Sequence, residues 1–398
     1  MKVGFLFNHY AEHQVPHAAP YAFELSLRQP GIEVVILCSS SSEMRMVRRI
    51  ASLYRGHRCT IRRLHLGWRD RLKSSFKDPW RFKRKKKILA ANLDVFRSLD
   101  ALVTPEQTSL RLKRKFGMDK LLLVHTRHGA GDAEAGFDDR SQRFDFTLLP
   151  GQKYADRLKA LGFLEDGRYA ITGWPKFDVA EGLQRSKKRL FGDDKPIVVY
   201  NPHFKNELSS WPMSGEAILE IFAASPDYNL IFAPHILLFK RKANQDQLEK
   251  ERTMLRRYQK LSNILIDTGS AASSDMTYML AADFYLGDVS SQVYEFLLRP
   301  RPCIFVNDQK VAWEGDESFI QWRFGEVIQD VESELLPALD QAKTRHADFA
   351  DEQISAFNYT FRIEADSTAA ARGADAIADF LRSAGDNVAD QDHRLTAA

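Results

Sequence analysis

Short apolar runs of strand length alternate with helical stretches along most of the chain, and this alternation constrains the fold more than any other feature. In the first half the runs are "KVGFLF", "IEVVILC", "CTIRRLHL", "ALVT", "KLLLVH", "FDFTLL" and "YAIT", with helical stretches such as "KKILAANLDVFRSL" and "QKYADRLKALG" between them. The second half continues with "PIVVYNP", "YNLIFAP", "NILID", "DFYLG", "PCIFVN" and "EVIQD". Such alternation is typical of parallel βαβ units whose helices cover both faces of a sheet. The pattern therefore predicts an α/β protein with two successive doubly wound, Rossmann-like halves that face each other across a cleft.

A chain of 398 residues is longer than a single hydrophobic core usually accommodates, which also favours two domains. The polar, turn-rich stretch "RSKKRLFGDDKP" at 185–196 predicts the hinge between them. We expect an N-terminal domain over 1–184 and a C-terminal domain over 195–340. Helices are predicted over 341–382, and a disordered tail over 383–398.

The composition excludes several classes of protein. Hydrophobic residues make up 44% and charged residues 28%, as in a soluble globular chain. The first apolar run is interrupted at once by Asn8 and His9, which excludes a signal peptide, and no run approaches the length of a membrane-spanning helix. Three dispersed cysteines without CxxC spacing exclude a disulfide framework or a cysteine zinc site. We therefore expect a cytoplasmic protein.

Positive charge is concentrated in one segment. The whole chain carries a net charge of +4, whereas residues 67–87 carry ten Lys or Arg against two Asp, a local charge of +8. Trp68, Phe76, Trp80 and Phe82 lie among these cations. This mixture suits the inner face of an anionic membrane or a polyanionic acceptor, where each cation contributes about 1 kcal/mol. A solvated loop and helix face is the alternative, and nucleic acid is not favoured because no recognition motif accompanies the charge.

Polar and ionisable residues follow the predicted strands of both halves. Ligands of open α/β sheets bind beyond the carboxyl ends of the strands, so these residues are the candidates for a site. A single histidine in such a place is more often structural, but convergence from both halves favours a shared site. The candidates are His9, His13 and His17 after the first strand, His125, Arg127, His128 and Asp132 in "VHTRHGAGD", His203 and Lys205, His235, and Asp288, Ser290 and Ser291.

The stretch "GDVSSQVYEFLLRPRPCIFV" suggests a phosphate site. Asp288 to Ser291 end a strand and are predicted to cap the helix "QVYEFLL". Hydroxyl groups and free backbone N–H groups at a helix N-terminus bind phosphate readily. Glu295 lies one turn further on, where its carboxylate could reach ribose hydroxyls.

The absence or position of several motifs argues against other enzyme classes and against a metal site. No GxGxxG follows a strand, and neither GxxxxGK[ST] nor GxSxG occurs, which disfavours dinucleotide-dependent dehydrogenases, P-loop NTPases and α/β-hydrolases. Asp-x-Asp occurs only at 390–392, in the predicted tail, so a Mg²⁺ site is not expected. His9, His13 and His17 have a spacing that could bind zinc on a helix, but Pro16 and Pro20 disfavour a regular helix there. We expect no metal and no cofactor.

Four stretches together resemble one enzyme family. "HTRHGAGD" is similar to a His-Gly motif, "ITGWPKFD" to a Gly-x-Pro-x-x-Asp turn, and "APH" at 233–235 to a second catalytic-histidine motif. "MLAADFYLGDVSSQVYEFLLRPRPCIF" resembles a block that contains Thr-Asp-Tyr-Ser-Ser, with Gly287 and Val289 in place of Thr and Tyr. In order and spacing these motifs, over roughly 120–310, resemble the CDP-glycerol glycerophosphotransferase family of GT-B-fold enzymes that build teichoic-acid-like polymers. The family's Ala-Pro-Thr-Trp-Arg stretch is here Asn201-Pro202-His203-Phe204-Lys205.

The resemblance implies a reaction and roles for the candidate residues. A polyol phosphate, first of all glycerol phosphate, would pass from a CDP-activated donor to a glycan or lipid-linked acceptor, with release of CMP. The N-terminal domain would bind the acceptor and the C-terminal domain the donor. His128 would be the general base, and His235 would stabilise the phosphate or assist the leaving CMP. The expected donor ligands are Ser290, Ser291, Asp288, Lys205, His203, Arg127 and, for the ribose, Glu295; the expected acceptor-side residues are His9, His13, His125 and Asp132.

Other functions stay open on the sequence. A GT-B glycosyltransferase could use a nucleotide sugar for capsule or lipopolysaccharide synthesis. "GDAEAGF" at 131–137 is faintly similar to a His-x-Glu-Ala-Gly turn of nucleotide-sugar 2-epimerases, but Asp132 stands in place of the histidine. A non-catalytic assembly protein that binds a polyanion through residues 67–87 is a third possibility.

Overall fold

The computed structural model describes residues 1–8, 12–66, 80–127, 137, 139–183, 190–239 and 245–396. Internal contacts divide the chain into two units, each of which contains one sheet of parallel strands. The first unit holds the described residues up to Leu183 and again from Tyr359 onward, and the second unit holds those between. The predicted pair of parallel-sheet α/β domains is confirmed.

The described part of the first unit contains a sheet of seven strands. Each coincides with one of the apolar runs of the first half. The strands are β1 (Lys2–Phe7), β2 (Glu33–Cys38), β3 (Thr60–Arg63), β4 (Ala101–Thr104), β5 (Leu122–Thr126), β6 (Phe146–Leu149) and β7 (Tyr169–Ile171). All of them pair in parallel, in the order β3-β2-β1-β4-β5-β6-β7.

Helices cover both faces of this sheet. Alternate side chains of a strand point to opposite faces, so Phe5 of β1 belongs to one buried cluster and Leu6 to another. Both clusters are closed by apolar side chains of the helices. The helices are α1 (Ala19–Arg28), α2 (Ser41–Ala51), α3 (Trp80–Ala91), α4 (Leu93–Arg97), α5 (Arg111–Phe116), α6 (Gln152–Ala160) and α7 (Pro175–Leu183), with 3₁₀ turns at Glu12–His17, Thr108–Leu110 and Asp139–Arg143.

The helix predicted over "KKILAANLDVFRSL" is interrupted at Asn92, between α3 and α4. The Asn92 amide nitrogen donates to the carbonyl oxygens of Ile88 (2.7 Å) and His65 (2.8 Å), and its side-chain oxygen accepts from the His65 N–H. A short amide side chain that bonds to the backbone competes with the helical ladder. This explains why the two helices do not merge.

The second unit contains a six-stranded parallel sheet in its described residues. Its buried cluster includes Val198, Phe232 and Leu286 from the strands, and Leu219 and Leu335 from helices. The strands are β8 (Ile197–Asn201), β9 (Asn229–Phe232), β10 (Ile264–Ile266), β11 (Phe284–Gly287), β12 (Cys303–Val306) and β13 (Glu326–Ile328). Their order is β10-β9-β8-β11-β12-β13. The helices are α8 (Trp211–Ala224), α9 (Gln245–Tyr258), α10 (Thr277–Ala281), α11 (Val293–Phe296), α12 (Val331–Arg345) and α13 (Ala347–Thr360), with 3₁₀ turns at Asn206–Leu208 and Glu317–Phe324.

The C-terminal helix α14 (Ala369–Thr396) belongs to the first unit. Ala374, Ile377 and Leu381 lie in the buried cluster that also holds α1. The sequence predicts C-terminal helices over 341–382 and a disordered tail over 383–398. Instead the chain returns to the first unit at Tyr359, and α14 continues to Thr396. In the part of the chain that the structure describes, no helix combines the length and apolar content that a bilayer-spanning segment needs.

The "ITGWPKFD" stretch holds this returning segment. Gly173 has φ +91°, and a Cβ atom there would lie 2.5 Å from the Arg362 carbonyl oxygen, so the close approach requires glycine. Asp178 accepts hydrogen bonds from the backbone N–H groups of Ala369 (3.3 Å) and Ala370 (2.7 Å). A carboxylate at the first turn of α14 satisfies N–H groups that have no partner within the helix and interacts favourably with the helix dipole. In this chain the Gly-x-Pro-x-x-Asp turn therefore attaches the C-terminal helix to the first unit.

We expect Asp178→Ala to destabilise the start of α14, because two N–H groups lose their acceptor. The free energy of unfolding of the first unit should fall by about 1 kcal/mol, as for other lost helix caps. Amide hydrogen exchange at Ala369 and Ala370 should become faster. Asp379→Ala, which removes a surface carboxylate of the same helix, is the matched control. Equal exchange in both variants would show that Asp178 does not hold the helix.

Candidate functional site

The carboxyl ends of three neighbouring strands carry most of the candidate residues of the second unit. Because β9, β8 and β11 are adjacent and parallel, the turns that follow them meet at one edge of the sheet. His203 and Lys205 follow β8, His235 follows β9, and Asp288 follows β11. The strand order therefore brings together residues that lie up to 85 positions apart in the chain.

His203 and His235 are neighbours at this edge. Their ring centroids lie 5.7 Å apart, and the Phe204 ring packs against both, with centroid distances of 4.5 and 4.6 Å. The His235 backbone N–H donates to the Pro202 carbonyl oxygen at 3.0 Å, which joins the two turns. Both imidazoles are half-buried. The pair is therefore held by backbone bonding and by an aromatic contact.

The backbone also selects the tautomer of both rings. His203 Nδ1 accepts from the Lys205 N–H at 3.2 Å, and His235 Nδ1 accepts from the Leu237 N–H at 3.2 Å. A neutral imidazole whose Nδ1 accepts a hydrogen bond carries its proton on Nε2. Burial, assisted by the positive charge of Lys205, lowers the pKa of His203 to about 4. At neutral pH the His203 ring is therefore uncharged and offers an Nε2–H donor.

Asp288 lies under the turn that carries His203. Only 1% of this residue is exposed, and burial raises the pKa of its carboxyl to about 7 against the opposing effect of its hydrogen bonds. The carboxylate accepts from the backbone N–H groups of His203 (2.9 Å) and Ser210 (2.8 Å), and from the Ser210 hydroxyl (3.0 Å). Asp288 is thus bonded to both ends of the turn.

Asn201, the last residue of β8, connects the three strand ends. It is fully buried, and its amide nitrogen donates to the Ala233 carbonyl oxygen and to Gln292 Oε1, both at 2.6 Å. Its side-chain oxygen accepts from the Ser290 hydroxyl at 2.7 Å. Sequence reasoning missed Asn201 and Ser210. The only local signal was an amide at the end of the buried run "VVYN" and a serine before α8.

The predicted capping of a helix by Asp288 to Ser291 is wrong. The helix α11 has only four residues, and its N-cap is Gln292, whose side chain makes no capping hydrogen bond. Asp288 does not cap it because its carboxyl group bonds to the turn after β8. The Ser290 hydroxyl donates to Asn201 at 2.7 Å and accepts from the Gln292 N–H at 3.4 Å, just before the helix. Ser290 is buried in this network, whereas Ser291 is half-buried. Glu295 lies in α11 and is 8% exposed.

The candidates of the first unit occupy different environments. His125 lies within β5, where it pairs with Thr104 and Thr147, because the strand extends to Thr126. Its ring is buried and stacks on Phe144 at 4.5 Å, so it is a core residue and not the acceptor-side residue that was expected.

Arg127 follows β5, and its guanidinium lies over the Tyr154 ring at 4.8 Å and the Phe137 ring at 5.2 Å. His13 is half-buried in the 3₁₀ turn Glu12–His17, at the end of which His17 packs against Trp174 at 4.6 Å. His9, His128 and Asp132 lie outside the described residues.

The sequence profile of one protein family, CDP-glycerol:poly(glycerophosphate) glycerophosphotransferase, matches residues 96–379. The match includes the strand ends that form the candidate site. The chain belongs to this family. It is therefore an enzyme of the CDP-glycerol glycerophosphotransferase type, as the four motifs implied. A comparison with curated protein sequences found no match.

Solved structures with a similar fold include the wall teichoic acid polymerase TagF, at 13% identity and a TM-score of 0.60 over 98% of this chain and 89% of that one. A putative UDP-N-acetylglucosamine 2-epimerase from Listeria monocytogenes matches at 16% identity and a TM-score of 0.62, over 97% of both chains. S. aureus MnaA, solved with UDP, matches at 12% identity and a TM-score of 0.62, over 96% of both chains. At such identities the likeness shows the fold, which is GT-B-like.

The depressed pKa of His203 has a measurable consequence. We expect its ring resonances to stay unchanged from pH 8 to about pH 5.5 and to titrate with a midpoint near pH 4, because desolvation and the charge of Lys205 disfavour the protonated ring. The same low pKa means that the folded state loses stability relative to the unfolded chain as pH falls from about 6.5 toward 4. NMR of imidazole-labelled protein, with His203→Gln for assignment, would measure this. A midpoint near 6.5 would contradict the described environment.

Proposed function

We propose that this chain transfers glycerol phosphate from CDP-glycerol to an acceptor hydroxyl and releases CMP. Membership of the family over residues 96–379 supports this donor and this transferred group. In the reaction the acceptor oxygen forms a bond to the β-phosphorus of the donor. The bond between that phosphorus and the bridging oxygen breaks, CMP leaves with the electron pair, and the hydroxyl proton passes to a base.

The proposed role in donor binding rests on the paired histidines of the second unit. Cleavage of the diphosphate builds negative charge on the bridging oxygen, and hydrogen-bond donors placed beforehand stabilise that charge. His203 and His235 lie side by side, and in both the Nδ1 atom is occupied by a backbone N–H. We assign their Nε2–H groups to the diphosphate, with Lys205 nearby as a positive charge.

The same geometry argues that the base is another residue. A general base needs a free lone pair, whereas neutral His203 and His235 accept from the backbone at Nδ1 and carry the proton on Nε2. The His-Gly motif places this role on His128, which lies outside the described residues. We propose His128 as the base that accepts the proton of the acceptor hydroxyl.

Further roles follow from the remaining candidates. We propose Ser291 and Arg127 as additional phosphate ligands and Glu295 as the ribose ligand. His9, His13 and Asp132 are proposed on the acceptor side. His125 is left out of this set because its ring packs in the core of the first unit.

We propose a glycan or lipid-linked acceptor in the synthesis of a cell-surface polymer, and a reaction that needs no metal. The segment 67–87 would hold the enzyme on the anionic inner face of the cytoplasmic membrane. Residues 67–79 lie outside the described residues. The five consecutive cations from Lys83 to Lys87 lie in α3 and support this docking by their charge.

Release of CMP from CDP-glycerol tests the assignment of the histidines. We expect His235→Ala and His203→Ala each to lower kcat by about 10²- to 10³-fold, since each removes a donor to the developing charge. His128→Ala should abolish turnover, because no base accepts the proton. His65→Ala, which truncates an exposed histidine of the first unit, should retain full activity. Normal turnover by His128→Ala and His235→Ala would refute the roles.

A ligand screen separates this function from its rivals. Thermal unfolding would be measured with CDP-glycerol, CDP-ribitol, CMP, UDP-sugars and CMP-sugars, because a ligand that binds only the folded state raises Tm. Stabilisation by cytidine diphosphate donors supports the proposal. Stabilisation by UDP-sugars alone would refute the proposed CDP-glycerol donor in favour of a nucleotide sugar, and no shift with any nucleotide would refute donor binding by this chain.

A further inference from the structure

The turn between β8 and α8, residues 202–210, is bonded near both of its ends to one buried carboxyl group. We propose that Asp288 is a positioning residue that holds this turn, and with it His203, in the donor site, and that it does not contact the donor. This inference rests on the proposed function of His203 as a phosphate ligand. It changes the role that the sequence motif suggested for Asp288.

The contacts of Asp288 join the two ends of the turn. Oδ1 accepts from the His203 N–H at 2.9 Å, and Oδ2 accepts from the same N–H at 3.1 Å. Oδ2 also accepts from the Ser210 N–H at 2.8 Å and from the Ser210 hydroxyl at 3.0 Å. The carboxyl group of Asp288, which follows β11, thus joins the two ends of the turn that follows β8.

The surroundings of Asp288 fix its own position. Its backbone carbonyl oxygen accepts from Trp322 Nε1 at 3.3 Å and from Gln321 Nε2 at 3.5 Å. The Ser210 hydroxyl lies 2.9 Å from the Tyr200 hydroxyl of β8. The ends of the turn are therefore attached to the buried sheet edge, and Gln309 Nε2 donates to the carbonyl oxygens of Asn206 (3.0 Å) and Ser209 (3.3 Å) between them.

Direct binding of the donor by Asp288 does not fit these contacts. Both carboxylate oxygens already accept from the protein, and 99% of the residue is shielded from solvent. In its ionised form the Asp288 carboxylate would also repel the negative charge of a diphosphate. His203, in contrast, is half-buried and lies on the turn that Asp288 holds. A small displacement of such a ligand is enough to lower the rate of catalysis about a hundredfold.

Asp288→Asn tests the proposal, because it keeps the size of the side chain but replaces one accepting oxygen with an NH₂ group that faces N–H donors. We expect amide exchange in residues 202–210 to become at least about tenfold faster, while exchange in the strands is unchanged. Asp267→Asn is the matched control. Asp267 is a half-buried carboxylate after β10 that accepts from the backbone N–H groups of Gly269 and Ser270 and not from the turn. Unchanged exchange in 202–210 would overturn the proposal.

A double-mutant cycle shows whether Asp288 acts through His203. We expect Asp288→Asn to lower kcat for CMP release about tenfold to a hundredfold, and His203→Ala to mask most of this effect in the double variant. Multiplicative losses would mean that Asp288 acts independently of His203, which would refute the positioning role. If wild-type protein released no CMP, the proposed function would fail, whereas the exchange result would still decide whether Asp288 holds the turn.

A second variant guards against loss of folding in Asp288→Asn. Ser210→Ala removes one hydroxyl donor to the carboxylate and leaves the charge in place. We expect the same pattern of faster exchange in 202–210, at a smaller amplitude. If Ser210→Ala left exchange in the turn unaltered, the proposed closure of the turn by Asp288 would be wrong.

Discussion

The parallel pairing of β9, β8 and β11 is the constraint on which the candidate donor site depends. Parallel strands place all their carboxyl ends at one edge of a sheet, and in this order three successive edge positions carry His235, His203 and Asp288. Each residue reaches its neighbours only through this arrangement, since the His203 to Asp288 hydrogen bond joins positions 85 apart in the chain. The buried runs "IVVY", "NLIF" and "FYLG" therefore matter for function because they set where the polar turns begin.

Burial determines which groups at this edge are charged. It lowers the pKa of His203 to about 4 and raises the pKa of Asp288 to about 7. Backbone N–H groups occupy Nδ1 of both histidines, so the rings offer N–H donors in their neutral form. Uncharged donors held in place are suited to a substrate whose negative charge increases during the reaction. This electrostatic arrangement agrees with membership of a family of glycerophosphotransferases.

The C-terminal helix α14 forms part of the core of the first unit. Gly173 allows close approach of the Arg362 carbonyl group, Asp178 accepts from the first N–H groups of α14, and Ile377 and Leu381 of that helix fill the core. The Gly-x-Pro-x-x-Asp resemblance thus has a structural meaning here that the motif did not reveal. Its residues lie about 190 positions from their partners.

The sequence by itself determined the strands, because a continuous apolar run of strand length is a local property of adjacent residues. All thirteen runs coincide with strands, and the family resemblance rests on equally local motifs. Only the tertiary structure decided what the polar side chains do. His125 and Asp288 were both expected to contact substrate, yet the ring of His125 packs in the core and the Asp288 carboxylate closes a turn. The partners of a polar group depend on strand order and on which distant N–H groups it meets, and neither is encoded in the neighbouring residues.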